Sequence, residues 1–235
     1  MRRNIKSKRE RGVYIIAGSR PWNEAVFKEK ISKYPGRWHF ISRKEDLTLK
    51  YVQRIRPRYI FFLHWSWFIP PEIYESHECI VFHMTDLPFG RGGSPLQNLL
   101  VRGVYKTKIS AVRVVEKLDT GPVYSKKPLD LKEGRAEDLY KKASAMASGM
   151  IKEVITRHPK PYSQKGKIVV FKRRKPEESK IPSGLTDRGL YDFIRMLDAD
   201  GYPRAFVESD DYTIEFSRAI LTENGVSAEA VFIKK

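Results

Sequence analysis

The chain has 235 residues, 41% of them hydrophobic and 12% aromatic, and carries 45 Lys and Arg against 28 Asp and Glu, a net charge of +17. That apolar fraction excludes a disordered tail or a collagen-like rod, and the length suits one large domain with a small appendage. A single cysteine, Cys79, excludes a disulfide framework and a cysteine-built zinc site; with no apolar run near the roughly 20 residues of a bilayer span and no leader-like opening, the expectation is a soluble cytoplasmic protein without a membrane partner.

Residues 1–12, with six Lys and Arg against Glu10, read as a flexible basic arm. Val13 to Gly18 is a short apolar run closed by Gly-Ser, and the following PWNEAVFKEKISKY has near-helical apolar spacing, so a strand leads into a helix. The pattern repeats in RWHFIS, EDLTLKYVQRI and RYIFFLH, then in the short helix PPEIYES and the buried strand ECIVFH. Strands alternating with helices over so short a stretch predict an α/β fold, a mostly parallel Rossmann-like sheet with helices on both faces. Residues at the carboxyl ends of such strands line a crevice.

KISAVRVVEK and PVYSKKPLDL flank the turn Asp119-Thr120-Gly121-Pro122, and a long helix follows from about Arg135 to His158. The Pro/Gly/Lys connector HPKPYSQKGK sets a boundary near residue 160, dividing a domain at 13–159 from a small C-terminal β-rich domain at 160–235. That second unit has a core too thin to stand alone and is expected to lean on the first. From Lys160 to Lys180 there are eight Lys and Arg against Glu177 and Glu178, a second basic concentration. Both basic stretches favour a polyanionic or phosphorylated partner; a lysine-rich surface that only serves solubility or ion pairing is the alternative.

The chemistry-bearing stretch is CIVFHMTDLPFGRGGSPLQNLLVRG, residues 79–103. It delivers His83 to a strand end, where an imidazole suits proton transfer near neutral pH; a histidine satisfied by local hydrogen bonds is the plainer reading. Thr85, Asp86 and Pro88 form a turn, Arg91-Gly92-Gly93 follow, and Ser94-Pro95 opens a helix.

The sequence here resembles the folate-dependent formyltransferase family, which acts on methionyl-tRNA, glycinamide ribonucleotide and sugar nucleotides. HMTDLP at 83–88, RGGSP at 91–95 and LDTGPVY at 118–124 stand in the family's order, with His83 and Asp119 36 positions apart. The resemblance covers about residues 13 to 157 and extends weakly beyond through FKRRKPEES and YPRAF. It implies formyl transfer from 10-formyltetrahydrofolate to a primary amine without a metal, with His83 as oxyanion stabiliser or proton relay and Asp119 holding the imidazole or a water. It implies a pterin slot at Trp65, Ser66, Trp67 and Phe68, with Asp119 beside it. Thr85, Asp86, Arg91, Gly92 and Gly93 are the expected substrate or phosphate contacts, Arg91 and the turn amides receiving an anion. Asp86 is either a second polariser of the site or the cap of a turn.

One position departs from the pattern. The family's catalytic Asn, two residues before the His, is Val81 here, and losing an oxyanion donor costs about 2.7–4 kcal/mol in comparable sites. His64, Ser66, Thr85 and Asn98 are the candidate replacements, His64 foremost. The first expectation for the acceptor is a phosphorylated amino sugar or sugar nucleotide. An aminoacyl-tRNA is the alternative, and a non-catalytic folate- or nucleic-acid-binding homologue is a third reading.

Overall fold

The computed structural model describes residues 12–235; the basic arm lies outside the described residues except for Gly12. The chain runs β1 (Val13–Gly18), α1 (Pro21–Glu29), β2 (Arg37–Ile41), α2 (Leu49–Ile55), β3 (Tyr59–Leu63), α3 (Pro71–Ser76), β4 (Cys79–His83), β5 (Phe89–Gly92), α4 (Pro95–Val101), β6 (Lys106–Arg113), β7 (Val123–Asp130) and α5 (Ala136–Arg157). It continues with β8 (Val169–Phe171), α6 (Asp187–Arg195), β9 (Ala205–Glu208), β10 (Tyr212–Thr222) and β11 (Gly225–Lys234). The main sheet has the order β2-β1-β3-β4-β6-β7; the first four strands are parallel, β6 runs antiparallel to β4, and β7 antiparallel to β6. Among the described residues no helix is long and apolar enough to cross a membrane.

Strand alternation explains why both sheet faces are dry. On β1, Ile15 and Ala17 join Ile60 and Phe62 of β3 in a core under Val52 of α2 and Ile73 of α3. Tyr14 and Ile16 face the other way, joining Phe61 and Leu63 under Val26 of α1 and Leu139, Ile151 and Val154 of α5. Each such side chain taken fully out of water contributes about 1.5–3 kcal/mol, so a strand buried on both sides must be apolar throughout, as Tyr59–Leu63 is.

The C-terminal segment forms an antiparallel sheet, β11-β10-β9, packed against α6. It is tied to the rest by polar contacts as much as apolar ones. Arg195, fully buried, donates to Asp192 Oδ1 at 2.7 Å and to the carbonyls of Gly134 and Leu131, and the Tyr105 hydroxyl donates to Asp192 Oδ2 at 2.6 Å. The strand within KIVVFKRRK does not join this sheet. As β8 it pairs with β5, a four-residue strand containing two glycines, and so belongs to the wall of the cleft.

Candidate active site

At the carboxyl ends of β3 and β4 lies a cavity of about 630 Å³. It straddles the sheet edge and extends to both faces. One lobe is lined on the α2–α3 side by Phe62, Trp65, Ile69, Tyr74, Val81 and Val114. The other, on the α1–α5 side, is lined by Phe82, Met84, Ile109, Tyr140, Ala143 and Ala147. His83 and Asp119 sit on the same cavity.

β4 delivers His83 because Cys79, Val81 and His83 alternate on one side of the strand. Its Nε2 lies 2.7 Å from the Gly90 carbonyl oxygen, which can only accept, so that nitrogen bears the proton. Nδ1 then faces Asp119 Oδ2 at 3.6 Å, the two side chains being 10% and 6% exposed. Asp119 adopts a left-handed backbone (φ 55°) in the β6–β7 turn, and its Oδ2 accepts the Gly92 amide at 2.9 Å. The loop is clamped from outside: Gln164 Nε2 donates to the carbonyls of Asp119 and Gly121 at 2.8 Å each. Gly121 fits because a Cβ there would collide with the Arg113 carbonyl.

His83 and Asp119 therefore meet, as do Trp65, Ser66, Trp67 and Phe68, all of which line the cavity, Phe68 at 93% exposure on its rim. The expected anion cradle does not form. The Arg91 guanidinium donates twice to Gln164 Oε1, at 3.1 and 2.8 Å, and Arg91 is not on the cavity wall. The turn amides are consumed within the fold, Gly92 by Asp119 and Gly93 by the Phe171 carbonyl at 3.2 Å. Gly92 and Gly93 line the cavity but have no amide left for a phosphate. Ser94 accepts the Arg174 amide rather than capping α4. Thr85 is fully buried, its hydroxyl on the Gly90 carbonyl. Asp86 lies off the cavity, paired with Lys126 at 2.6 Å and Lys108 at 2.9 Å. Partial burial works against its ionisation, but hydrogen bonds from the two lysines outweigh this and its pKa lies below the ordinary value.

The four candidates for replacing the missing Asn also fare unequally. Asn98 spends its amide nitrogen on the carbonyls of Gly93, Ser94 and Lys172. Thr85 is engaged as described. His64 lines the cavity, but its Nε2 is bonded to the Tyr202 hydroxyl at 2.5 Å and its ring stands edge-on to Tyr140 at 4.3 Å. Burial, and then the Arg20 guanidinium, push its pKa down to about 3, so it is an uncharged ring already engaged by Tyr202 rather than a cationic donor. Ser66 remains on the wall, its carbonyl taking Arg173 at 3.4 Å. Tyr140, Ser144, Tyr202 and Gln164 were not singled out from the sequence. Tyr140, Ala143, Ser144 and Ala147 do carry helical spacing that marks a second face of α5, whereas Tyr202 and Gln164 sit in turns without any pattern.

Against known proteins, residues 176–233 match the family model of the methionyl-tRNA formyltransferase C-terminal domain. The methionyl-tRNA formyltransferase of Thermodesulfovibrio yellowstonii is 30% identical over 159 residues, 65% of this chain and 52% of that protein. The chain thus spans about half the length of the curated relatives it matches. A solved methionyl-tRNA formyltransferase from Clostridium thermocellum superposes with a TM-score of 0.90 at 47% identity, covering 95% of this chain and 100% of that one. A sugar N-formyltransferase from a Shewanella species superposes at 0.62 with 14% identity, covering 95% and 97%, a likeness of fold alone. The expectation of an amino-sugar acceptor is overturned by this contrast; the spent amides of the Arg91 turn agree with the correction. The order of motifs, the sheet-edge cleft with its His83–Asp119 pair and the full-length likeness at 47% identity lead to one statement of kinship: the chain belongs to the formyltransferase family, among the methionyl-tRNA formyltransferases.

Proposed function

We propose that the chain transfers a formyl group from 10-formyltetrahydrofolate to the amino group of methionyl-tRNA. The observation that carries this is the full-length likeness to the Clostridium thermocellum protein at 47% identity. The basic stretch from Lys160 to Lys180 supports it, because a tRNA acceptor brings phosphates that lysines and arginines can meet outside the cavity. A charged tRNA as substrate also agrees with the cytoplasmic setting expected from the composition.

The α2–α3 lobe fits a folate on a specific observation. Trp65 Nε1 is buried with no partner among the described residues, in a wall shared with Trp67, Ile69 and Tyr74. An unpaired buried donor costs about 1–3 kcal/mol, which a flat bicyclic ring with polar edges would relieve. Bound there, the folate supplies the formyl carbon and the nitrogen that leaves. The protein's part is proton handling. With Nε2–H held by Gly90, His83 presents Nδ1 as the atom that takes the proton the attacking amine must lose and passes it to the nitrogen that leaves, the Asp119 carboxylate steadying the charge in between. Gly92 holds that carboxylate through Oδ2, and Gln164 holds the loop that carries it through the Asp119 backbone carbonyl, so little reorganisation accompanies the transfer.

The test is incubation with 10-formyltetrahydrofolate and methionyl-tRNA, with amino-sugar nucleotides as controls, followed by mass spectrometry for the gain of one formyl group. Formylation of methionyl-tRNA is expected; turnover only of other amines would refute the reading. Val81 favours one second reading, a homologue that binds folate without transferring formyl, and this is recognised by folate binding with no product from any amine.

A further inference from the structure

The C-terminal sheet has one covered edge and one open edge. On the β9 side the segment preceding α6 runs alongside, Lys180 bridging to Phe206 and the Ile181 amide donating to the Phe206 carbonyl at 2.8 Å. On the other side β11, ten residues long, has no strand beyond it among the described residues. Its central residues are apolar and exposed: Val231, Phe232 at 63% and Ile233, with Tyr212 of β10 edge-on to Phe232 at 6.0 Å. Edge strands are ordinarily protected by a lysine, a proline or a bulge. β11 has none of these before Lys234, and the register shift of the hairpin falls in β10 between Ser217 and Ile220. The backbone phase is set by the Lys235 amide, which donates inward to the Asp211 carbonyl at 3.0 Å. Alternation then turns the N–H and C=O groups of Ala230, Phe232 and Lys234 outward. Charge also separates this end from the rest of the molecule. From Ala205 to Lys235 there are three Lys and Arg against six Asp and Glu, in a chain of +17 overall.

We propose that β11 is the seam of a homodimer, its outer edge pairing antiparallel with the same edge of a second copy about a two-fold axis at Phe232. An acidic, apolar edge does not suit a polyanion, and two chains of +17 repel least where the local charge is negative. An axis perpendicular to the sheet sets Phe232 opposite its own counterpart, Ala230 opposite Lys234, Val231 opposite Ile233 and Glu229 opposite Lys235. Ala230, Phe232 and Lys234 then exchange the backbone bonds that face outward, and none of the bonds that β11 makes to β10 is given up. Val231 against Ile233 covers the exposed apolar stretch, and Glu229 against Lys235 adds an opposite-charge pair at each end. Both charged side chains can be reached, at 61% and 44% exposure, with Arg218 on Glu229 at 3.1 Å and Glu208 on Lys235 at 3.9 Å. A register centred on Val231 would set Glu229 against Ile233, and one centred on Ile233 would set Val231 against Lys235, so charge selects Phe232. A contact of this kind uses the same patch on both partners and closes after two copies.

The test is sedimentation equilibrium of the whole chain from about 1 to 100 μM. The wild type is expected to approach twice its mass of 27.4 kDa at the upper end. Phe232→Pro removes an outward N–H and no bond within the sheet, so the dimer dissociation constant should rise about ten-fold or more. Glu229→Lys and Lys235→Glu each set like charges across the seam and should raise it about three-fold or more, while the two substitutions combined restore the pair with its sign reversed and bring the constant back towards the wild-type value. Urea denaturation of each variant separates loss of the dimer from loss of the fold, and the two charge reversals decide the matter if Phe232→Pro does not fold. A wild type that stays at 27.4 kDa at the highest concentration would overturn the proposal. So would a dimer indifferent to the single charge reversals, or one that the combined variant fails to restore. The readout is mass, so its outcome is independent of formyl transfer.

Discussion

Replacing Asp119 by Asn removes one charge while leaving the shape of the site nearly intact. The carboxylate stands 3.6 Å from His83 Nδ1, and both side chains are almost fully buried. Two opposite unit charges at that separation attract by about 4–5 kcal/mol at an effective dielectric near 20. Desolvation of the pair takes back part of this, and each ~1.4 kcal/mol that remains in the transition state is worth ten-fold in rate. The Asn side-chain carbonyl can still accept the Gly92 amide, so the fold should hold. Single-turnover formylation of methionyl-tRNA at saturating folate is the assay, with urea denaturation and folate titration alongside. A loss of at least about a hundred-fold in the chemical step, with folate affinity and denaturation midpoint nearly unchanged, is the expected result. A loss below about ten-fold, or one confined to folate affinity, would refute the assignment of Asp119 as the partner of a proton-bearing His83.

Gly92→Ala places a Cβ on a backbone at φ 105° and against the Phe171 carbonyl, so the β5–β8 pairing must shift and the amide leaves Asp119; a stability loss of about 1–3 kcal/mol in urea and a larger relative loss of turnover are expected. His64 stays uncharged in the fold down to about pH 3 but takes a proton near pH 6.5 once unfolded. Its depressed value therefore draws protons to the unfolded chain, and stability falls as pH drops from about 6.5 towards 3, by up to about 1.4 kcal/mol per unit, while His64→Gln flattens that slope in denaturation measured against pH. Arg195→Met strips Asp192 of its buried partner and leaves the Leu131 and Gly134 carbonyls unpaired, which should cost about 3–5 kcal/mol in chemical denaturation. Removing residues 1–11, which hold six Lys and Arg against one Glu, should weaken tRNA binding and lower the slope of log affinity against log salt by about 0.7–0.9 for each phosphate the arm would have neutralised.

His83 and Asp119 could be picked out because His83 ends the apolar strand CIVFH and Asp119 stands in a turn marked by Gly121 and Pro122. The sheet itself was legible from the same runs, since a strand covered on both faces has nowhere to place a polar residue. The fate of Arg91 was not. Its partner Gln164 lies 73 residues away in a stretch that reads as a connector, and no local pattern tells a guanidinium bound for phosphate from one bound for an amide. β5 escaped notice because four residues with two glycines carry no strand propensity; tertiary pairing with β8 makes it a strand. The vacancy at Val81 could be seen in the sequence, yet His64's engagement with Tyr202 depends on a turn 138 residues downstream. Long-range polar partners, rather than periodicity, decided each of these.

The segment between α5 and β8 was expected to be a boundary, and it carries a consequence for anyone dividing the chain. Tyr162 pairs through its backbone with Val123, in both directions, and Gln164 holds Arg91 together with the two carbonyls that pin the Asp119 loop. A chain ended near residue 159 would keep His83 and Asp119, with the Gly90 carbonyl and Gly92 amide bonded to their side chains, and still lack the outside clamp on the Asp119 loop. Such a fragment is expected to retain its six-stranded sheet and the α2–α3 lobe of the cavity while the Asp119 loop relaxes. Chimaeras that graft a relative's acceptor-binding half onto this one face the same requirement. The crossover has to come after Gln164, or the hybrid inherits a His83–Asp119 pair whose scaffold belongs to the other parent.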